Sequence, residues 1–226
     1  MALKINDTIR ATRVGGRRPL SSIRAIVFHY TANTGQHATA LGNARYFANG
    51  SEGRAASAHF VVDEGDTVYQ CVPLDVVAWA VGDGQSGKYG KVYGNYNTVS
   101  IEMVSHTDAS GKYYIPEATM KNAARLYQML LKQLPNVQAA IRHYDISMKL
   151  CPLPLIDETK WADFKKLLEE VDEVVTKAKM IIDGKEAEVE RILKDGTNYI
   201  KIRDIAKALD LEVSNKGNVP ILNHKQ

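Results

Sequence analysis

Cysteine is scarce: Cys71 and Cys151 are the two in 226 residues, so no disulfide framework can hold this chain together. No run of about 18 apolar residues occurs, which argues against insertion into a membrane. The first seven residues lack a basic-then-apolar leader, and this predicts a protein made in the cytoplasm without a signal peptide. If it acts outside the membrane, something else must release it. Lys and Arg are not densely clustered either. The formal net charge is +3, with +5 over residues 1–156, −2 over 157–179 and zero over 180–226. That spread argues against a nucleic-acid binder and suits contact with a polyanionic surface. The Gly-rich stretch 79–90 lacks the Gly-Lys-Ser/Thr ending of a phosphate loop, so a nucleotide site is not expected there.

What is present reads as one good core with residues left for a small second module. The lead-in 9–19, with four arginines, a Gly pair and a Pro, is expected to be an irregular, solvated basic loop. The run 24–31 predicts a buried strand that ends near His29. A helix is expected over 38–47, and a hairpin over 58–72 turns at Glu64-Gly65-Asp66. A strand over 97–104 carries Glu102 on the face opposite Ile101 and Met103. Residues 117–134 form the clearest amphipathic helix, 137–142 a strand, and 157–171 a second amphipathic helix. This alternation predicts an α/β fold with a mixed β-sheet flanked by helices and chemistry at strand ends. The loop after the hairpin is rich in aromatics, Trp79, Tyr89, Tyr93 and Tyr96, and is expected either to line a cleft or to be pinned to the body by them.

The stretch 142–152 concentrates the chemistry. His143 and Cys151 lie eight residues apart and Pro152 follows the Cys. Imidazole and thiolate are both good zinc ligands. His29, where its strand leaves the core, is the natural third ligand. Glu102 is a carboxylate in an apolar strand, unfavourable unless solvated or partnered, and so a candidate for proton transfer. Cys71, among apolar neighbours, is expected in the core.

Taken together, His29 within 26–31, the segment 56–63, the strand 100–102 and the motif from His143 through Lys149 to Cys151-Pro152 resemble the zinc-dependent N-acetylmuramoyl-L-alanine amidases of phage and bacteria, relatives of the peptidoglycan recognition proteins. The resemblance covers roughly residues 20–156. It implies Zn2+ held by His29, His143 and Cys151, Glu102 as the proton carrier and Lys149 as the oxyanion donor. It also implies His59 and Trp79 as substrate contacts, and Asp145 as a residue that fixes the loop or a ligand. Many relatives have a His after the tryptophan where this chain has Ala80, and Tyr46 is not assigned a catalytic part. The implied substrate is the peptidoglycan of a Gram-positive cell wall and the implied role a phage endolysin. A binding module that keeps the fold without the chemistry and an intracellular recycler of wall fragments are the competing readings.

The expected boundaries are a catalytic domain over 1–171, a charged linker over 172–179 and a small α+β module over 180–226. The module resembles stalk-like units of clostridial-type surface proteins. Fewer than about 50 residues make a marginal core, so a homodimer through this module or its docking on the wall is expected.

Overall fold

The computed structural model describes residues 3–35, 38–169, 175–194 and 197–225, and the chain divides into two units, Met1–Val171 and Asp172–Gln226. The first unit contains, in order, β1 (Lys4–Asn6), β2 (Val14–Arg17), β3 (Ala25–Tyr30), α1 (Ala40–Ala48), β4 (Phe60–Val62), β5 (Thr67–Gln70), β6 (Val76–Ala78), β7 (Thr98–Met103), β8 (His106–Thr107), β9 (Tyr113–Tyr114), α2 (Glu117–Gln133), β10 (Ala139–Arg142), α3 (Tyr144–Ser147) and α4 (Glu158–Glu169).

Six strands form one sheet in the order β1-β5-β4-β7-β3-β10. Strands β4, β7, β3 and β10 run parallel, whereas β5 is antiparallel to β4. The fold is therefore the expected mixed α/β sheet. Strand β3 is buried from Ala25 to His29 because both its faces are covered. On one face Ile26, Phe28, Val99, Ile101 and Met103 join Ala123, Leu126 and Leu130 of α2 and Trp161, Phe164 and Leu168 of α4 in one core. Phe28 meets Phe164 edge-on, with centroids 5.0 Å apart. On the other face Ala25 and Val27 pack with Val81, Ile141 and Ile146. Cys71 is buried with Ala40, Ala44 and Val61.

The basic lead-in departs from expectation. Val14–Arg17 is a strand paired irregularly with β6, and glycine is what lets it approach: a Cβ on Gly15 would fall 3.0 Å from Val77 and from the Trp79 ring nitrogen. Arg18 is 3% exposed rather than solvated. Its guanidinium donates to the carbonyls of Leu74, Asn95, Tyr96 and Thr98.

The second unit contains β11 (Val175–Ile182), β12 (Lys185–Lys194), β13 (Thr197–Ile200), α5 (Ile202–Ala208), β14 (Leu211–Lys216) and β15 (Val219–His224). Strands β11, β12 and β13 form an antiparallel sheet, and β14 pairs with β15. The expected linker over 172–179 is corrected here: residues 172–174 lie outside the described residues, but 175–179 belong to β11. Their charge recurs at every second residue, as on the outward face of a strand. Lys177 reaches Glu188 at 2.9 Å and Lys179 reaches Glu186 at 2.8 Å across the ribbon. Asp183 and Gly184, both at positive φ, make the two-residue turn. Among the described residues of this unit, Ile182, Val189 and Ala206 are the buried apolar side chains, whereas Ile181, Leu193, Tyr199 and Val219 are exposed. No helix among the described residues is long and apolar enough to cross a membrane.

Candidate active site

Register builds the site. His29 of β3 stands opposite Glu102 of β7, and Glu102 stands opposite Val61 of β4. Alternation turns both side chains away from the Phe28 and Ile101 face. Arg142 pairs with Phe28, so His143, the next residue, leaves β10 beside His29, with ring centroids 4.8 Å apart. The chain then makes the single turn α3, passes through Met148 in the left-handed region at φ 67°, and comes back so that the Tyr144 N–H donates to the Cys151 carbonyl at 2.8 Å. Cys151 Sγ thereby lies 3.7 Å from His29 Nδ1.

A buried clamp holds this loop. Arg142, 3% exposed, donates to Asp145 at 2.8 Å, to Glu158 at 2.7 Å and to the carbonyls of Leu155 and Ile156. Asp145 also accepts the Arg142 backbone N–H, so it fixes the loop. Asp145→Ala, which removes the buried carboxylate partner of Arg142, is expected to cost about 3 kcal/mol in urea unfolding. Glu158→Ala removes a partner that is 77% exposed and should cost under about 1 kcal/mol.

Ligand atoms of His29, His143 and Cys151 all lie within 4.8 Å of one another, and all three residues are buried. Two donors about 2.1 and 2.3 Å from one tetrahedral ion stand about 3.6 Å apart, close to the 3.7 Å between His29 Nδ1 and Cys151 Sγ. His143 Nδ1 is buried without a hydrogen-bond partner, a cost that a metal ion would remove at a ligating nitrogen. Burial, and then the neighbouring His143 and Lys149, hold His29 well below its ordinary pKa; burial lowers His143 too, against the pull of Asp83. Both are thus neutral, the form that ligates. The Cys151 thiol is pushed up by burial and by Glu102, against which the Tyr30 backbone N–H and Lys149 favour the thiolate. Two imidazoles and a thiol suit zinc and leave a fourth position open.

Glu102 is pushed up to about 8 by burial, with Lys149 opposing. Its Oε2 is buried and has no hydrogen-bond partner. Lys149 is exposed and sits 3.2 Å from Asp83 Oδ2. Trp79, Ala80, Asp83, Asn95 and Lys149 line a cavity of about 360 Å³. A larger groove of about 560 Å³, between Tyr113, Met120, Leu155 and Phe164, carries none of these groups.

The expectation of a substrate contact at His59 is corrected. His59 is 1% exposed: Nδ1 accepts the Ser100 N–H at 3.1 Å, and Nε2 lies 3.1 Å from the Val76 carbonyl and 2.7 Å from Arg18. Buried with both nitrogens engaged, it is a structural element here and not a surface for substrate. Burial and Arg18 bring it down to about 3 from 6.5. Below pH 6.5 the unfolded chain takes up a proton that the fold refuses, so stability is lost as pH falls from 6.5 toward 3. At about 1.4 kcal/mol per pH unit, wild type should lose about 2 kcal/mol more than His59→Gln between pH 6.5 and 5 in urea titrations. The aromatic loop is pinned: Tyr89 and Tyr93 meet edge-on, with centroids 5.8 Å apart, and pack against the Val27 and Ile146 cluster. Of its four aromatics only Trp79 reaches the cavity with Lys149. Tyr46, whose hydroxyl donates to the Ser51 carbonyl, packs beside the Cys71 cluster.

The residue that sequence reasoning missed is Asp83, whose Oδ1 lies 2.6 Å from His143 Nε2. The signal was a carboxylate between two glycines, Gly82 and Gly84, in a loop read for nucleotide binding and for its aromatics.

The family model described as N-acetylmuramoyl-L-alanine amidase, Amidase_2, matches residues 19–154. The N-acetylmuramoyl-L-alanine amidase CwlL of Bacillus licheniformis is 29% identical over 198 residues, covering 84% of this chain and 53% of its own length. CwlH of Bacillus subtilis (strain 168), of the same description, is 33% identical over 141 residues, 62% of this chain and 50% of its own. The chain thus spans about half the length of these curated relatives. In fold it is similar to the solution structure of the PlyG catalytic domain, with TM-score 0.56 and 24% identity over 74% of this chain and 94% of that one. With the site-bearing strands β3, β7 and β10 and the loop to Cys151 all inside residues 19–154, the match takes in more than half of the sequence, and the chain belongs to the N-acetylmuramoyl-L-alanine amidase family.

Proposed function

We propose that this protein is a zinc-dependent endolysin that hydrolyses the amide bond between N-acetylmuramic acid and L-alanine in peptidoglycan. The observation that carries the reading is the convergence of His29, His143 and Cys151 within 4.8 Å on the rung that also bears Glu102. These three residues would hold the metal. When bound, zinc supplies Lewis-acid polarisation of the amide carbonyl and acidification of a water. Glu102 takes the proton of the attacking water and passes it to the departing alanine nitrogen. Lys149 donates to the oxyanion that develops on the carbonyl oxygen, an interaction typically worth a few kcal/mol of barrier. Trp79, on the wall of the adjoining cavity, offers an apolar face to the substrate.

The target is a Gram-positive cell wall, reached after release from the host cytoplasm, with neither nucleic acid nor membrane insertion involved. Residues 1–171 carry the reaction. The second unit serves wall binding or self-association, a reading supported by its small core and its exposed Ile181, Leu193 and Tyr199. Incubation with purified Gram-positive walls should lower turbidity and create new free L-alanine amino termini. New reducing sugars alone would point to glycan cleavage and sink the reading. Wall binding without any new termini would make this a recognition protein.

A further inference from the structure

One carboxylate bridges two parts of the site. Asp83 Oδ1 lies 2.6 Å from His143 Nε2, and Oδ2 lies 3.2 Å from Lys149 Nζ. The neutral imidazole has one N–H. Given to Asp83 from Nε2, it leaves the lone pair on Nδ1, the buried atom without a partner. Asp83 does not depend on a free loop for its place. The Gly87 N–H donates to the Ile146 carbonyl at 2.8 Å and the Tyr89 N–H to the Asp145 carbonyl at 2.7 Å. A Cβ on Gly87 would fall 2.6 Å from the Asp145 oxygen, so only glycine permits this docking. The loop is thus locked to the same segment that runs from His143 to Lys149.

We infer that Asp83 is a positioning residue that fixes the tautomer and ring orientation of His143 for metal binding and anchors the Lys149 ammonium between turnovers. The inference rests on the zinc-amidase reading above. Carboxylates in this relation to a ligating His typically contribute about 10- to 100-fold in metal affinity.

The test compares wild type, Asp83→Ala and Asp83→Asn as full chains, with circular dichroism as the folding control. Zinc affinity is read by competition with a chromophoric chelator, the cobalt-loaded forms by their visible spectra, and wall digestion by kcat and KM. Asp83→Ala should bind zinc about 10- to 100-fold more weakly, with a changed cobalt spectrum. Asp83→Asn still accepts from His143, although it no longer pairs with Lys149, so it should recover most of the affinity and spectrum. Equal affinities and spectra in all three would overturn the inference and leave the amidase reading standing. A wild type that binds no zinc would overturn both.

Discussion

Glu102→Gln should lower kcat on peptidoglycan by about 10³-fold while zinc content stays at the wild-type level. General acid–base groups contribute about 10²- to 10⁴-fold, and glutamine keeps the shape of Glu102 but cannot carry the proton. A loss under tenfold would remove Glu102 from the proposed chemistry. The same variant also tests the electrostatics. In metal-free protein Glu102 is held near 8 against an ordinary 4.5, chiefly by burial. Its neutral form therefore favours the fold, and that stability is lost as pH rises through about 8. His29 and His143 are present in wild type and variant alike, so their titration cancels in the difference and the window from pH 6.5 to 8 reads Glu102. At about 1.4 kcal/mol per unit, metal-free wild type should lose about 2 kcal/mol relative to Glu102→Gln across it. Parallel urea midpoints would show instead that Glu102 is solvated.

Cys151→Ala should bind zinc more than about 100-fold more weakly, beyond the loss expected from removing a mere partner of a ligand. Wall digestion should fall by about 10³-fold or more, because Lewis-acid assistance is worth several kcal/mol and each 1.4 kcal/mol is a decade. The fold should survive, since the loop is held by Arg142 and Asp145 rather than by the thiol. Isothermal titration with zinc and product analysis check the two halves separately. Full activity in Cys151→Ala would place the chemistry elsewhere.

The parts of the site legible in the sequence were those governed by local rules. Period-two alternation turned Glu102 away from Ile101 and Met103, and the buried run 25–29 carried His29 to a strand end; both follow from the chain's own neighbours. What local rules cannot reach is partnership across the sequence. Arg18 reads as one more solvated arginine until the carbonyls of residues 74, 95, 96 and 98 surround it. His59 looks free until Ser100, Val76 and Arg18 take both nitrogens. Asp83 becomes meaningful only when Gly87 and Tyr89 dock on residues 145–146, more than fifty positions later. The charged stretch before Met180 reads as a linker because its pairing residues, Glu186 and Glu188, lie beyond the turn.

On the proposed function, a metal held by His29, His143 and Cys151 enables amide cleavage in the wall. The most direct measurement counts new L-alanine amino termini released from purified walls by the intact chain, first as prepared, then after chelation, then after return of one equivalent of zinc. Release, its loss on chelation and its recovery with zinc are expected. Undiminished release from protein shown to be metal-free would contradict the proposed function.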